Sequence, residues 1–95
     1  MKRQKILLSD FYCTQCGHYI PLARKSRKQK EAGHLKKIFC INCQKETNHA
    51  EVKSKGDYTY DDFWAEFTYG NFTPDGQRLM TYRQFEAQLR QNGVI

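Results

Sequence analysis

Two Cys-x-x-Cys pairs constrain this 95-residue chain more than any other feature of its sequence. The pairs are Cys13/Cys16 and Cys40/Cys43. A spacer of two residues lets one tight turn direct both sulfurs to one point, and two such turns supply four soft ligands in a tetrahedron, which suits Zn²⁺. The pattern predicts one structural zinc ion held by four thiolates, with no open coordination position at which water could be activated.

Other uses of four cysteines remain open from the sequence. An iron site of the rubredoxin type, a disulfide pair and a free redox dithiol are alternatives, although a basic, loop-rich chain is an unusual electron carrier. His18 and His49 are expected at the rim of the site rather than as ligands, since four cysteines already suffice. Gly17 suits the positive φ often needed just after the second cysteine of a pair, and Gln44 suits the same position less well.

Strand-like residues flank both pairs and predict two β-hairpins, each with a metal knuckle at or near its tip. Residues 6–53, with their double Cys-x-x-Cys pattern, resemble a zinc ribbon. That family serves transcription factors, ribosomal proteins, topoisomerases and many adaptors, so the resemblance implies a fold more than a function. Residues 33–49 also resemble uncharacterised small zinc-ribbon proteins of Gram-positive bacteria and their phages, which brings no known activity.

Charge and composition divide the chain near Gly56. Residues 1–56 carry a formal charge of +9 and all four cysteines, whereas residues 57–95 carry −3 and hold Trp64 and most of the tyrosine and phenylalanine residues. We therefore expect a small α+β protein: a basic zinc ribbon of two β-hairpins over residues 1–56, followed by two short C-terminal α-helices over residues 57–95. These helices would form an acidic, aromatic helical hairpin or extension.

The most basic segment lies between the two cysteine pairs, where half of residues 24–37 are lysine or arginine. Like charges this close repel one another, so we expect an exposed arm that binds phosphates with salt-dependent affinity. The candidate nucleic-acid-binding residues are Arg24, Lys25, Arg27, Lys28, Lys30, His34, Lys36 and Lys37. No base-reading motif accompanies them, which favours RNA or a ribonucleoprotein such as the ribosome over duplex DNA. A solvated loop that only aids solubility is the alternative.

Two segments with matching apolar spacing predict the two C-terminal helices. Each begins after a threonine, Thr59 or Thr81, and each places apolar residues at i, i+3 and i+7 on one face. Asp62 and Gln84 stand three residues after these threonines, close to a capping box. Gly70 and Gly93 stand where the C-caps of these helices are expected.

The aromatic residues of these helices support a second functional hypothesis. Two such short helices cannot bury a whole aromatic stripe between themselves, so part of it must cover the ribbon or contact another protein. Trp64 and Phe67 are the candidate partner residues. The alternative function is a protein-interaction adaptor or modulator, with a phage origin as one option, that acts on a host machine such as RNA polymerase or the ribosome.

Enzymatic activity is not expected from this sequence. Some HNH nucleases are stapled by two Cys-x-x-Cys pairs, but His34 has no aspartate before it and the downstream residues are incomplete. The first residues contain too few apolar side chains for a signal peptide, and no apolar run approaches the roughly 18 residues that span a bilayer. We expect a cytoplasmic protein with no membrane partner and no small-molecule substrate, in whose reducing surroundings paired cysteines favour metal over disulfides.

Overall fold

The computed structural model of the protein describes residues 6–25, 33–52 and 58–94. Two helices follow four strands in the described chain. The strands are β1 (Ile6–Cys13), β2 (Tyr19–Lys25), β3 (Leu35–Cys40) and β4 (Lys45–Val52), and the helices are α1 (Tyr60–Tyr69) and α2 (Tyr82–Gln91). The expected small α+β class and the two C-terminal helices are therefore confirmed.

The four strands form one antiparallel sheet in the order β2-β1-β4-β3. Strand β1 pairs with β2 along its length, and β3 pairs with β4. Strand β1 also pairs with β4, with Asp10 opposite Val52 and Cys13 opposite His49. This central pairing, which the sequence pattern did not predict, places the cysteine-bearing ends of β1 and β3 on the two sides of β4.

One face of the sheet packs against the C-terminal region. The alternation of side chains along β1 and β4 turns Tyr12, Ala50 and Val52 to this face. The buried cluster on this face consists of Ala50, Val52, Tyr58 and Phe63, and the partly buried residues packed against it are Tyr12, Leu35, Phe67, Phe72 and Tyr82. Helix α1 is therefore held on the sheet by its Phe63 side.

Each helix begins at a threonine-based capping box, as the spacing predicted. The Thr59 amide donates to the Asp62 carboxylate at 2.8 Å, and the Gln84 amide donates to the Thr81 hydroxyl at 3.2 Å. These caps satisfy amide groups that a helix start leaves without intrahelical partners. Gly70, with φ +91°, is the C-cap of α1, whereas the C-cap of α2 is Asn92 and Gly93 follows it with φ +75°. Neither helix in the described chain has the length and apolarity needed to cross a bilayer.

The fully buried carboxylate of Glu66 pairs with Arg78, which connects the C-terminal region to Gly33, just before β3. Both Nε and Nη2 of Arg78 donate to Glu66 at 2.9 Å, the Tyr58 hydroxyl donates to it at 2.5 Å, and the Asn71 side-chain amide also donates to it. Nη1 of Arg78 donates to the carbonyl oxygen of Gly33 at 2.6 Å. Because the carboxylate is fully paired, the buried charge is tolerated, and removing one partner would cost about 3–5 kcal/mol.

Candidate metal centre

Each cysteine pair lies on a short turn between two paired strands. We call residues 13–17, between β1 and β2, the first cysteine turn, and residues 40–44, between β3 and β4, the second cysteine turn. The Gly17 amide donates to the carbonyl oxygen of Cys13 at 2.8 Å, and the Gln44 amide donates to that of Cys40 at 2.7 Å. A turn closed by an i to i+4 hydrogen bond brings the two cysteines of a pair close together.

The four cysteine sulfurs come together at one point. All four Sγ atoms lie within 4.8 Å of one another, with Cys13 Sγ 3.8 Å from Cys43 Sγ and Cys16 Sγ 3.5 Å from Cys40 Sγ. A tetrahedral zinc ion with Zn–S bonds of about 2.3 Å requires sulfurs about 3.8 Å apart. The cluster can therefore hold a metal ion of this size, and its all-thiolate donor set suits soft metals.

The cluster has a buried side and a more exposed side. Cys13 and Cys40 are fully buried, whereas Cys16 and Cys43 are half-buried. The hydroxyl of buried Thr47 lies 3.1 Å from Cys13 Sγ, and the Cys43 amide donates to Cys40 Sγ at 3.4 Å. Such hydrogen bonds stabilise thiolate charge and fix the orientation of a metal ligand. The buried side is thus built to keep charged sulfurs in place.

As thiols, the cysteines differ in acidity. Burial opposes the ionisation of Cys13, but hydrogen bonds from the Thr47 hydroxyl and from the backbone at Cys16 and Gln15 outweigh it and lower its pKa to about 7. Desolvation, followed by the neighbouring thiols, raises the pKa of Cys43 to about 12. Cys13 therefore ionises more readily than Cys43. Four thiolates can lie this close together only when a bound cation compensates their charge.

The two histidines near the cysteines differ in burial. His18 is half-buried, whereas His49 is fully buried opposite Cys13, and neither belongs to the group of four cysteines that could hold a metal ion. The ring Nδ1 of His49 lies 2.9 Å from the carbonyl oxygen of Thr47, and its Nε2 has no hydrogen-bond partner among the described residues. Desolvation lowers the pKa of His49, which keeps the ring neutral beside Cys13.

The predicted nucleic-acid-binding residues fall partly within the described chain. Lys36 and Lys37 are exposed on β3, which is an edge strand, and His34 is half-buried just before it. Arg24 and Lys25 end β2 at the opposite edge of the sheet. Three further candidates lie outside the described residues: Arg27, Lys28 and Lys30.

The two predicted partner residues differ in exposure. Trp64 is 50% exposed on α1, whereas Phe67 is half-buried. A Cβ atom built on Gly17 would lie 3.7 Å from the Phe67 ring, so this ring rests on the first cysteine turn. Part of the aromatic stripe therefore covers the metal centre, and part of it faces solvent.

Sequence reasoning missed two features of the centre. One is the hydroxyl of Thr47, which contacts Cys13 from the neighbouring strand and which no local pattern indicates. The other is Ile41, an apolar residue that is 71% exposed inside the second cysteine turn. An isoleucine at a turn position usually filled by polar residues was the available signal.

Comparisons with protein-family models, with curated proteins and with solved structures found no match for this chain. They lend no support to the resemblance to small proteins of Gram-positive bacteria and phages. The geometry of the cysteines and the surfaces around them therefore carry the functional argument.

Proposed function

We propose that this protein is a non-enzymatic zinc-ribbon protein that binds nucleic acid, with RNA or a ribonucleoprotein such as the ribosome as its target. In this proposal the two strand pairs are the hairpins of the ribbon, the cysteine turns are its metal knuckles, and one structural Zn²⁺ joins them. The convergence of four sulfurs within 4.8 Å carries the metal part of the proposal. Four thiolates saturate tetrahedral Zn²⁺, which supports a structural rather than a catalytic ion.

The described part of the proposed nucleic-acid surface runs from His34 along β3 to the second cysteine turn, while Arg24 and Lys25 lie at the other edge of the sheet. Its support in the described chain is edge strand β3, on which Lys36, Lys37 and Phe39 are all exposed. Lysines neutralise phosphates and release counterions, and an exposed aromatic ring offers a stacking face to an unpaired base. The formal charge of +9 over residues 1–56 favours the same polyanionic ligand.

RNA is favoured over duplex DNA because neither helix offers a basic face to a major groove. Helix α1 contains no lysine or arginine, and its first turn carries Asp61 and Asp62. Helix α2 contains only two basic residues, Arg83 and Arg90. Loops of RNA present unstacked bases that aromatic side chains can contact without a recognition helix.

The test is fluorescence anisotropy of the zinc-loaded protein with a labelled RNA hairpin and with a labelled DNA duplex, across about 50 to 300 mM salt. We expect RNA to bind more tightly than DNA, with affinity that falls steeply as salt rises. Changing Lys36 and Lys37 to Gln should weaken RNA binding and reduce the salt slope by about one per lysine that contacts a phosphate. Neutralising the five lysines and arginines of residues 24–30 should weaken it further.

A matched control removes the same charge from the other region of the protein. Arg83 and Arg90 are exposed on α2, and changing both to Gln should leave the affinity and the salt slope within the error of the wild type. No binding to either nucleic acid at the lowest salt would overturn the proposal. An equal loss of affinity in the α2 control would also overturn it, because binding would then depend on net charge alone.

A second candidate function is the protein-interaction adaptor or modulator, acting on a host machine such as RNA polymerase or the ribosome. The observation that favours it is the exposure of Trp64, a residue type enriched in the energetic centres of protein interfaces. Under this function naked RNA and DNA bind weakly at all salt concentrations, and a Trp64→Ala variant loses a specific partner in affinity capture.

A further inference from the structure

Four aromatic side chains form a continuous surface that extends outward from the core. We call Tyr12, Tyr19, Tyr60 and Trp64 the aromatic patch. The ring centroids of Tyr12 and Tyr19 are 5.4 Å apart, those of Tyr12 and Tyr60 are 5.0 Å apart, and those of Tyr60 and Trp64 are 6.3 Å apart. Tyr19, Tyr60 and Trp64 are 46%, 45% and 50% exposed. Contiguous exposed aromatic surface is typical of interaction sites.

Both the sheet and the helix hold the patch in place. Tyr12 stacks on buried Phe63 with 5.1 Å between ring centroids. Tyr60 and Trp64 lie one turn apart on α1, and their rings are within 17° of parallel. A partner would therefore meet rings that are already ordered, and little side-chain entropy would be lost on binding.

Among the described residues, two aspartates lie next to the patch. The Tyr19 hydroxyl donates to the Asp10 carboxylate at 2.9 Å, and Asp61 is exposed next to Tyr60 in α1. None of the four patch residues carries a positive charge, and α1 contains no lysine or arginine. The pKa of Tyr12 is raised, first by partial burial and then by the nearby Asp10, Tyr60 and Tyr19. The patch thus combines ring faces with carboxylate charge.

We propose that the aromatic patch binds arginine side chains in a basic segment of a partner protein. A guanidinium group stacks on aromatic faces and donates to a carboxylate in a planar fork, so the rings and Asp10 suit it better than they suit the compact ammonium of lysine. This inference deepens the adaptor function and rests on it. It differs from the sequence hypothesis because Tyr12, Tyr19 and Asp10 of the sheet join Trp64, while Phe67 packs on the first cysteine turn.

Charge separates this surface from the proposed nucleic-acid surface. Phe39 is exposed on β3 two residues after exposed Lys37 and on the same face, with Glu46 of β4 opposite it, whereas the patch lies beside Asp10 and Asp61, which repel phosphate. The whole chain has a formal charge of +6 and repels polycations at a distance. Binding of a cationic peptide therefore requires this local combination of rings and carboxylates rather than net charge.

The test uses labelled octapeptides in which glycine alternates with arginine, lysine or glutamate, with labelled oligouridine as a fourth probe. Zinc-loaded protein is titrated at about 150 mM salt, where long-range attraction is screened. Anisotropy of the label reports affinity, and the fluorescence of Trp64, the sole tryptophan, reports contact at the patch. We expect the arginine peptide to bind about three- to tenfold more tightly than the lysine peptide and to change the Trp64 emission.

Variants locate the binding. Asp10→Asn and Tyr60→Ala should each reduce affinity for the arginine peptide about three- to tenfold. Tyr69→Ala is the matched control, because Tyr69 is 53% exposed on the same helix and lies outside the patch, and it should change affinity less than twofold. Unchanged far-ultraviolet circular dichroism verifies that each variant folds.

The outcomes separate this inference from the adaptor function. Equal binding of the arginine and lysine peptides, or loss of affinity in the Tyr69 control, overturns the arginine site. Binding of oligouridine that the patch variants abolish also overturns it, and assigns the patch to nucleic acid. If no peptide binds but a protein captured by the wild type is lost with Trp64→Ala, the adaptor function stands and the arginine chemistry is wrong. If neither peptide binding nor protein capture depends on Trp64, the arginine site and the adaptor function are both wrong.

Discussion

The two cysteine turns share one backbone geometry but differ in what packs against them. Both are closed by the same i to i+4 hydrogen bond, and both place the residue after the second cysteine at positive φ, +78° at Gly17 and +59° at Gln44. The first turn is covered, because the Phe67 ring lies against Gly17 and the Thr14 hydroxyl donates to the carbonyl oxygen of Gly76 at 2.8 Å. The second turn projects Ile41 into solvent.

This difference indicates what the C-terminal region does for the metal centre. The helix α1 and the turn around Gly76 secure the first cysteine turn through packing and hydrogen bonds that do not involve metal. Among the described residues, the second turn is held by the pairing of β3 with β4, by its two cysteines and by a hydrogen bond between the Asn42 side chain and Cys16. We therefore expect it to depend more on a bound metal, and Ile41 in the turn and Phe39 just before it are both exposed.

The largest expected effect is the response of the two turns to metal removal. A structural zinc site in small domains contributes on the order of 10–16 kcal/mol of apparent binding free energy at neutral pH. When a chelator removes it, we expect the Gln44 amide to gain hydrogen exchange at least about tenfold more than the Gly17 amide. Such a ratio corresponds to about 1.4 kcal/mol of additional opening free energy in the second turn.

Hydrogen exchange measured by NMR resolves these two amides, and the Phe85 amide of α2 serves as an internal reference. Phe85 donates to the carbonyl oxygen of Thr81 at 3.0 Å and lies on a helix without metal ligands. Equal acceleration at Gln44, Gly17 and Phe85 would mean that the metal holds the whole fold as one unit, and the contrast between the turns would be wrong.

Alanine substitutions at two glycines test how much the contacts of the Gly76 turn with the first cysteine turn contribute to stability. A Cβ atom at Gly76 would approach Thr14 Oγ1 to 2.6 Å, whereas one at Gly70 would meet nothing within 4 Å, and both residues have positive φ, +85° and +91°. Gly76→Ala should cost about 2–4 kcal/mol, because overpacking adds to backbone strain. Gly70→Ala should cost about 1–2 kcal/mol from the backbone alone.

Thermal unfolding of the zinc-loaded variants measures both changes. If the cover matters only to the first turn, Gly76→Ala should also accelerate exchange at the Gly17 amide while leaving that of Gln44 unchanged. Similar losses of stability for the two alanine variants would show that the contact between Thr14 and Gly76 contributes little.

Local chemistry was readable from the sequence, and long-range pairing was not. The spacing of cysteines predicted the cluster, and Thr59 and Thr81 with their capping partners predicted where the helices begin, because both depend on residues a few positions apart. The pairing of Asp10 with Val52 joins residues far apart in the chain, and no local pattern specifies it. The contact between Thr14 of the first cysteine turn and Gly76 was not predicted for the same reason, since the two residues are far apart in the sequence.

The buried ion pair was missed for a related reason, although one signal was present. Glu66 lies three residues after Phe63, on the buried face of α1, where a charged residue requires a partner. The sequence does not identify that partner, because Arg78 lies beyond the helix and contacts Glu66 only after the chain turns back. A charge on an apolar helix face thus predicts that a buried pair exists but not which residue completes it.

The smallest effect concerns the single residue that distinguishes the two turn backbones. Gln44 holds φ +59° in the left-handed region, which costs a side-chain-bearing residue about 1–2 kcal/mol, and Gly17 holds the same region without that cost. Gln44→Gly should raise stability by about 0.5–1 kcal/mol, since relief of strain exceeds the entropy that glycine loses on folding. In a domain of this size that gain corresponds to roughly 2–8 °C in Tm.

The reciprocal change, Gly17→Ala, should lower stability by about 1–2 kcal/mol through strain alone, because its Cβ would sit at an ordinary contact distance of 3.7 Å from the Phe67 ring. Calorimetry of both zinc-loaded variants measures the pair. A Gln44→Gly variant no more stable than the wild type would mean that the glutamine side chain compensates for its backbone strain. Since Gln44 is exposed beside the proposed nucleic-acid surface, that result would direct attention to its contacts there.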